Sequence, residues 1–154
     1  MWRLRANPRP FVLIGVGIAL IIAFAVIVEP LFNTSGAPTA EIDGLLPTHA
    51  VAGHTLEMDL ALDNTGTTLI PHVCVATAVR GPLRPDQLLF QGEDRESFSG
   101  GRACGGALGG GASISLRLFF TAIGTGTAQL SLTPTSGTTP VGSTLSGAIT
   151  VTSR

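Results

Sequence analysis

The chain has 154 residues with a formal net charge of −1, nine Arg, no Lys, no Tyr and two Cys. One domain with a modest core fits this length. A near-neutral balance without a basic patch disfavours nucleic acid as a partner. From residue 41 onward nine acidic residues stand against six Arg, a formal charge of −3.

Residues 1–10 carry Arg3, Arg5 and Arg9 and no acid. Residues 11–28, FVLIGVGIALIIAFAVIV, are eighteen apolar residues in a row. As a helix at about 1.5 Å per residue, the run is about 27 Å long, close to the ~30 Å hydrocarbon core of a bilayer. Basic residues flanking a span stay on the cytoplasmic side. The reading is therefore a cytoplasmic 1–10, a transmembrane helix at 11–28 and an extracytoplasmic remainder. Pro10 suits a first helical turn, and Pro30 ends the helix by restricting the residue before it. Gly15, Ala19 and Ala23 are small residues on which a neighbouring helix can pack closely. The lipid bilayer and a membrane-protein partner are the partners this implies.

Two other readings of the same segment exist. A cleaved secretory signal would use Ala23-Phe24-Ala25 as its small-x-small site, but three more apolar residues follow and the run exceeds a usual h-region. A pilin-like subunit would also begin with an apolar helix, yet Phe11 follows Pro10 and no Glu lies early in the run. The anchor and the cleaved-signal readings both export residues 41–154. No Cys follows the run, so a lipoprotein anchor has no attachment residue.

Residues 29–40, EPLFNTSGAPTA, have the Pro, Gly and small polar residues of a semi-extended linker. From Thr55 the period is two. Leu56, Met58, Leu60 and Leu62 point one way and Glu57, Asp59, Ala61 and Asp63 the other, which predicts a half-buried strand with an acidic outer face. Asn64-Thr65-Gly66 closes it as a turn. A second strand is predicted within Leu69–Val79, displaced at its start by Pro71. Residues 80–111 hold nine Gly and two Pro and read as an irregular excursion with a short strand at Gln87–Phe90. Such a segment is expected to be functional or mobile. Ser113–Thr121 alternates again, with Phe119 outward, and Ala128, Leu130 and Leu132 are expected as its hairpin partner across Gly124-Thr125-Gly126. Residues 133–143 read as a turn-rich connection. Leu145, Ile149 and Val151 form a last strand, with Gly147 as a bulge or close-approach point. No amphipathic helix is predicted after residue 30. The pattern is that of a mainly β protein: an antiparallel β-sandwich over 41–154 behind one membrane helix.

Cys74 and Cys104 are expected to form a disulfide, since paired cysteines are the rule in an exported domain. The bond would also tie the Gly-rich excursion to the sheet.

The stretch GHTLEMDLALDNTG, Gly53–Gly66, resembles the opening of bacterial immunoglobulin-like modules of the CARDB type, with their Gly, alternating strand and N-x-G turn. GTAQLSLTP at 126–134 resembles their later strand. The resemblance implies an Ig-like fold and a cell-envelope setting; modules of this fold differ widely in ligand.

The candidate chemistry is sparse. His49, His54, His72, Met58 and Cys74 include copper-ligand types, but no His or Met follows Cys74, and a disulfide would consume the thiolate. No metal and no cofactor is therefore assigned. Asp86, Glu93, Asp94 and Glu96 form an acidic stretch that either meets a partner or cation or is a solvated loop interleaved with Arg84, Arg95 and Arg102; it lacks calcium-loop spacing. Gly105–Gly111 lacks the Lys-Ser/Thr ending of a phosphate loop. No G-x-S-x-G elbow is present, and Ser99 and Ser113 have no nearby His. The chain reads as a non-enzyme. Two functions remain: a membrane-anchored structural or interaction module, such as an accessory subunit of a membrane complex, contacting its partner through Asp86, Glu93, Asp94 and Phe119; or an exported ligand- or metal-binding sandwich with 80–111 as its binding loop, with the pilin-like subunit as a further alternative.

Overall fold

The computed structural model describes residues 36–154. The predicted membrane helix at 11–28, with Gly15, Ala19 and Ala23, lies outside the described residues, as do 1–10 and all but the end of the linker.

The described chain is built from eleven strands: β1 (Ala40–Asp43), β2 (His49–Val51), β3 (Thr55–Asn64), β4 (Val73–Arg80), β5 (Leu83–Phe90), β6 (Arg95–Ser97), β7 (Arg102–Cys104), β8 (Ser113–Ala122), β9 (Gly126–Ser136), β10 (Thr139–Pro140) and β11 (Leu145–Thr152). A five-stranded sheet has the order β1-β3-β8-β5-β6, and a six-stranded sheet has β2-β11-β9-β4-β7, with β10 on β9. Among the described residues there is no helix. All pairings are antiparallel except β2 with β11, which is parallel.

The alternation read from the sequence sets which side chains are inside. Met58, Leu60 and Leu62 of β3 and Leu116, Leu118 and Phe120 of β8 are buried, and so are Leu130, Leu132 and Ile149 of the facing sheet. In register, Leu62 faces Ile114 and Met58 faces Leu118 across β3 and β8. Each such side chain, fully buried, contributes about 1.5–3 kcal/mol.

Three expectations are corrected. Residues 80–111 hold three strands, β5, β6 and β7, rather than one short one. The signal was hidden by a β-bulge between Pro85 and Gln87. Leu83 is buried before the bulge and Leu88 and Phe90 after it, so the inward positions change parity within one strand and alternation fails as a guide. Pro85 is tolerated because it stands at that bulge. Asp86 accordingly lies on a strand, not in a loop.

The second correction concerns β8 and β9. They are consecutive and both alternate, yet β8 pairs with β3 and β5, while β9 pairs with β4 and β11. The short connection at 123–125 crosses between sheets and makes no hairpin. The β4–β5 link does the same. Its Gly81 has φ 106°, and a Cβ there would lie 2.6 Å from the Thr127 carbonyl oxygen, so only glycine lets the crossing chain approach β9. Consecutive strands that both bury one face can satisfy it from opposite sheets of a sandwich, a choice that local pattern does not contain.

Third, the connection expected at 133–143 is partly strand: β9 runs to Ser136, and β10 returns against it through Thr139 and Pro140. The strand expected within Leu69–Val79 begins only at Val73, beyond Pro71. β1 and β2 were not anticipated; neither exceeds 4 residues. Gly147 does mark a close approach, where a Cβ would stand 3.1 Å from Leu46 Cδ1.

Asn64 ends β3 and ties the sandwich end together. It is buried. Its Nδ2 donates to the Thr68 carbonyl at 2.8 Å and the Leu108 carbonyl at 3.0 Å, and its Oδ1 accepts from the Gly66 N–H at 3.1 Å. Leu108 in turn exchanges backbone bonds with Ile70. Removing a buried amide strands each of its partners. Asn64→Ala is expected to lower unfolding free energy by about 2–4 kcal/mol, read as a shift in the urea midpoint with an unchanged slope.

Candidate interaction face

The Cys74–Cys104 disulfide joins register partners on β4 and β7, with their Cα atoms 4.0 Å apart. The pairing expected from the sequence is therefore present. Glu93 supports the same region from the β5–β6 turn. Its Oε1 accepts the Gly106 N–H at 2.8 Å, and Gly105 lies so close to Phe90 that a Cβ would meet its ring at 2.8 Å. Gly111 donates to the carbonyls of Asn64 and Gly66. The glycine-rich stretch at 100–111 is thus held by backbone packing, by one carboxylate and by the disulfide. Glycine allows close approach at Gly105 and Gly110 and positive φ at Gly100, Gly101 and Gly111.

The outer face of the five-stranded sheet gathers most of the remaining chemistry. Cross-strand register sets Glu57, Phe119, Gln87 and Ser97 in one row and Asp59, Arg117, Leu89 and Arg95 in the next. Arg117 Nε donates to Asp59 at 2.7 Å and lies 3.1 Å from Glu57. The Asp59 hydrogen bond and charge, then the charge of Glu57, raise the Arg117 pKa further above its ordinary value. All three side chains are about half exposed or more, so this bridge contributes little to stability and chiefly fixes the guanidinium between two carboxylates.

Phe119 is half-buried on this face. The guanidinium of Arg95 lies 4.5 Å from its ring centroid, a cation–π contact. Arg95 reaches it from β6 across β5, so a flat apolar ring is roofed by a cation. At the bulge, Asp86 accepts from Thr121 Oγ1 and from Arg84 Nε. Beside Arg117 a shallow depression of about 320 Å³ is lined by Asp59, Leu89, Gln91, Ser115, Leu116 and Arg117.

The structure therefore separates the residues singled out from the sequence. Asp86 and Phe119 share the outer sheet face. Glu93 belongs to the glycine-rich edge, and Asp94 is exposed on the β5–β6 turn. The sequence reading did not join Arg117 to Glu57 and Asp59 or Arg95 to Phe119. Both need strand register, which is not written in either strand alone. His49, His54 and His72 are exposed on separate segments, and among the described residues no group of three or more His, Cys, Asp or Glu is placed to hold a metal ion.

No protein-family model matches the chain. No curated protein matches it in sequence. Solved structures match in fold. A cohesin module from a family 33 glycoside hydrolase of Clostridium perfringens aligns with TM-score 0.55 at 13% identity, over 77% of this chain and 98% of that one. AvmM, which catalyses macrocyclization in alchivemycin A biosynthesis, aligns with TM-score 0.53 at 12% identity, over 75% and 88%. The CARDB domain of PF1109 from Pyrococcus furiosus, in complex with di-metal ions, aligns with TM-score 0.50 at 16% identity, over 76% and 94%. The described chain has an Ig-like β-sandwich fold, similar to that of the CARDB domain. The resemblance read at Gly53–Gly66 and 126–134 holds at that level. The same fold serves a catalyst in one of these proteins, so fold alone does not select an activity.

The contact between Arg95 and Phe119 is measurable. In a double-mutant cycle with Arg95→Ala and Phe119→Ala, chemical denaturation is expected to give a coupling energy of about 0.5–1 kcal/mol; zero coupling would mean that the stacked arrangement is absent in solution.

Proposed function

We propose that the sandwich is an extracytoplasmic interaction module held at the membrane by a single N-terminal span, serving as a structural or accessory subunit beside an integral membrane partner. The observation that carries this reading is the outer face of the five-stranded sheet. There an aromatic ring under a guanidinium, an Arg fixed between two carboxylates and a shallow depression lie on one rigid surface. Arg and aromatic side chains are the residue types that anchor protein interfaces. A shallow, open depression suits a partner's side chain better than an enclosed small molecule.

The compartment rests on two features that agree. The eighteen-residue apolar run follows three Arg, and the disulfide belongs to an oxidising space. A non-catalytic role is favoured by what the carboxylates do. Asp86 and Glu93 are both engaged by neighbouring donors, a use of these carboxylates in holding the fold.

The decisive experiment is mild-detergent extraction of the full chain, followed by mass spectrometry of what co-purifies. An intact N-terminal segment together with a stoichiometric integral membrane protein is expected. A mature chain beginning near Val26 would overturn the anchor, and a homogeneous chain without any partner would overturn the accessory role. In the same preparation, alkylation without reduction should leave both cysteines unmodified, and the double substitution Cys74→Ala/Cys104→Ala should cost about 3–4 kcal/mol of stability for a loop of this size.

A further inference from the structure

The two ends of the sandwich differ in charge. One end is crossed twice by chain passing between the sheets, at 65–72 from β3 to β4 and at 105–112 from β7 to β8. Neither crossing holds an Asp, Glu, Arg or Lys, and His72 is the one titratable side chain in them. The opposite end carries exposed His54, Arg80 and Arg84 beside Ile123. Acidic residues border the uncharged end. Glu41 and Asp63 stand just below it on β1 and β3, and Glu93 and Asp94 flank it on the β5–β6 turn. The uncharged ground is therefore the part around Thr67 and Leu69.

Leu69 is 54% exposed, while its neighbour Ile70 is buried and bridges Leu108 on the other crossing. One exposed leucine needs no explanation by itself. Its place in the chain supplies one. The described residues begin at this same end. The Gly36 carbonyl accepts from Thr68 Oγ1 at 2.7 Å, the Thr39 carbonyl accepts from the Gly66 N–H at 3.2 Å, and the Ala40 N–H donates to the Val141 carbonyl. Residues 36–40 are thus stitched to the 65–72 crossing. The apolar run ends at Val28, and the chain from Val28 to Gly36 reaches at most about 29 Å. The opposite end of the sandwich lies roughly another 30 Å away, the length of β3.

A lipid surface accepts such ground. Bringing a carboxylate or guanidinium against it costs desolvation, a cost that Thr, Gly and Leu side chains largely escape. A single leucine is too little to hold a free domain on a bilayer, since interfacial binding scales with the apolar area buried. A short tether changes this. It makes the contact intramolecular, with an effective concentration on the order of millimolar.

We propose that the 65–72 crossing is a lipid-contact surface, with Leu69 entering the headgroup layer of the bilayer and the end bearing His54 and Ile123 directed away from it. This rests on the membrane-anchor reading and adds which end of the module meets lipid and through which side chain.

The test uses the full chain in phosphatidylcholine vesicles that contain a nitroxide-headgroup lipid. An environment-sensitive fluorophore is attached at Thr67→Cys or, for comparison, at Ile123→Cys, an equally exposed site on the opposite end. The native cysteines are bonded to each other, so the new thiol takes the label. Nitroxide quenching at 67 is expected to exceed that at 123 by at least about threefold. It should be the same at low and high salt, because no charge holds the contact. In the 67-labelled chain, Leu69→Asp and the uncharged Leu69→Ser should both remove the excess. Equal quenching at the two sites, an excess that survives Leu69→Ser, or one lost at high salt overturns the proposal. Carbonate washing of the same vesicles separates the two readings. A chain released by the wash defeats the anchor and this contact with it; a chain retained with no excess at 67 leaves the anchor standing and defeats the contact alone.

Discussion

Two apolar surfaces closing on each other are the constraint from which the rest of the molecule follows. Leu62, Leu116, Leu118 and Phe120 from one sheet and Leu130, Leu132 and Ile149 from the other are removed from water together. Neither sheet is stable with its inner face wet. Once they meet, every outward position on β3, β5 and β8 is set on a rigid plane. The ion pairs of Arg117 and the stacking of Arg95 on Phe119 are consequences of that plane. They contribute little to holding it, because exposed charges are well solvated in either state.

Closure also explains the glycine-rich stretch. Between β7 and β8 the chain must pass against Phe90, against Thr67 and against the end of β3. Side chains would keep it away, so small residues bring backbone to backbone. Asn64 then satisfies the Leu108 carbonyl that this packing brings inside, while Glu93 at the surface and the Cys74–Cys104 bond tether the stretch. A segment whose composition resembles a flexible loop is, in this fold, a tethered wall.

The two outer faces differ in kind. One carries Thr, Ser, Gln and Ala along β9 and β11 with Arg80 and Arg102 along β4 and β7, the other five carboxylates, an Arg clamp and a roofed aromatic ring. A sandwich needs only solubility from its outer surfaces, and either pattern supplies it. The shared architecture with a cohesin module, a CARDB domain and AvmM speaks only to the scaffold.

Strand identity and facing were legible in the amino-acid sequence wherever alternation ran unbroken. β3 and β8 could be read residue by residue, including the outward Glu57, Asp59, Arg117 and Phe119, because a period of two is a local property of the backbone. The cysteine pair was legible too, since two cysteines allow one intramolecular bond. β5 was not, because the bulge at Pro85–Gln87 reverses its facing midway. The sheet to which β5 and β9 belong was equally hidden. Crossing a sandwich and turning a hairpin need connections of similar length, and only the competition among all inner faces for the same core chooses between them. For the same reason the pairs Arg117–Asp59 and Arg95–Phe119 were decided by tertiary register alone: 58 residues separate the first two in the chain, and nothing local to either one determines that they meet.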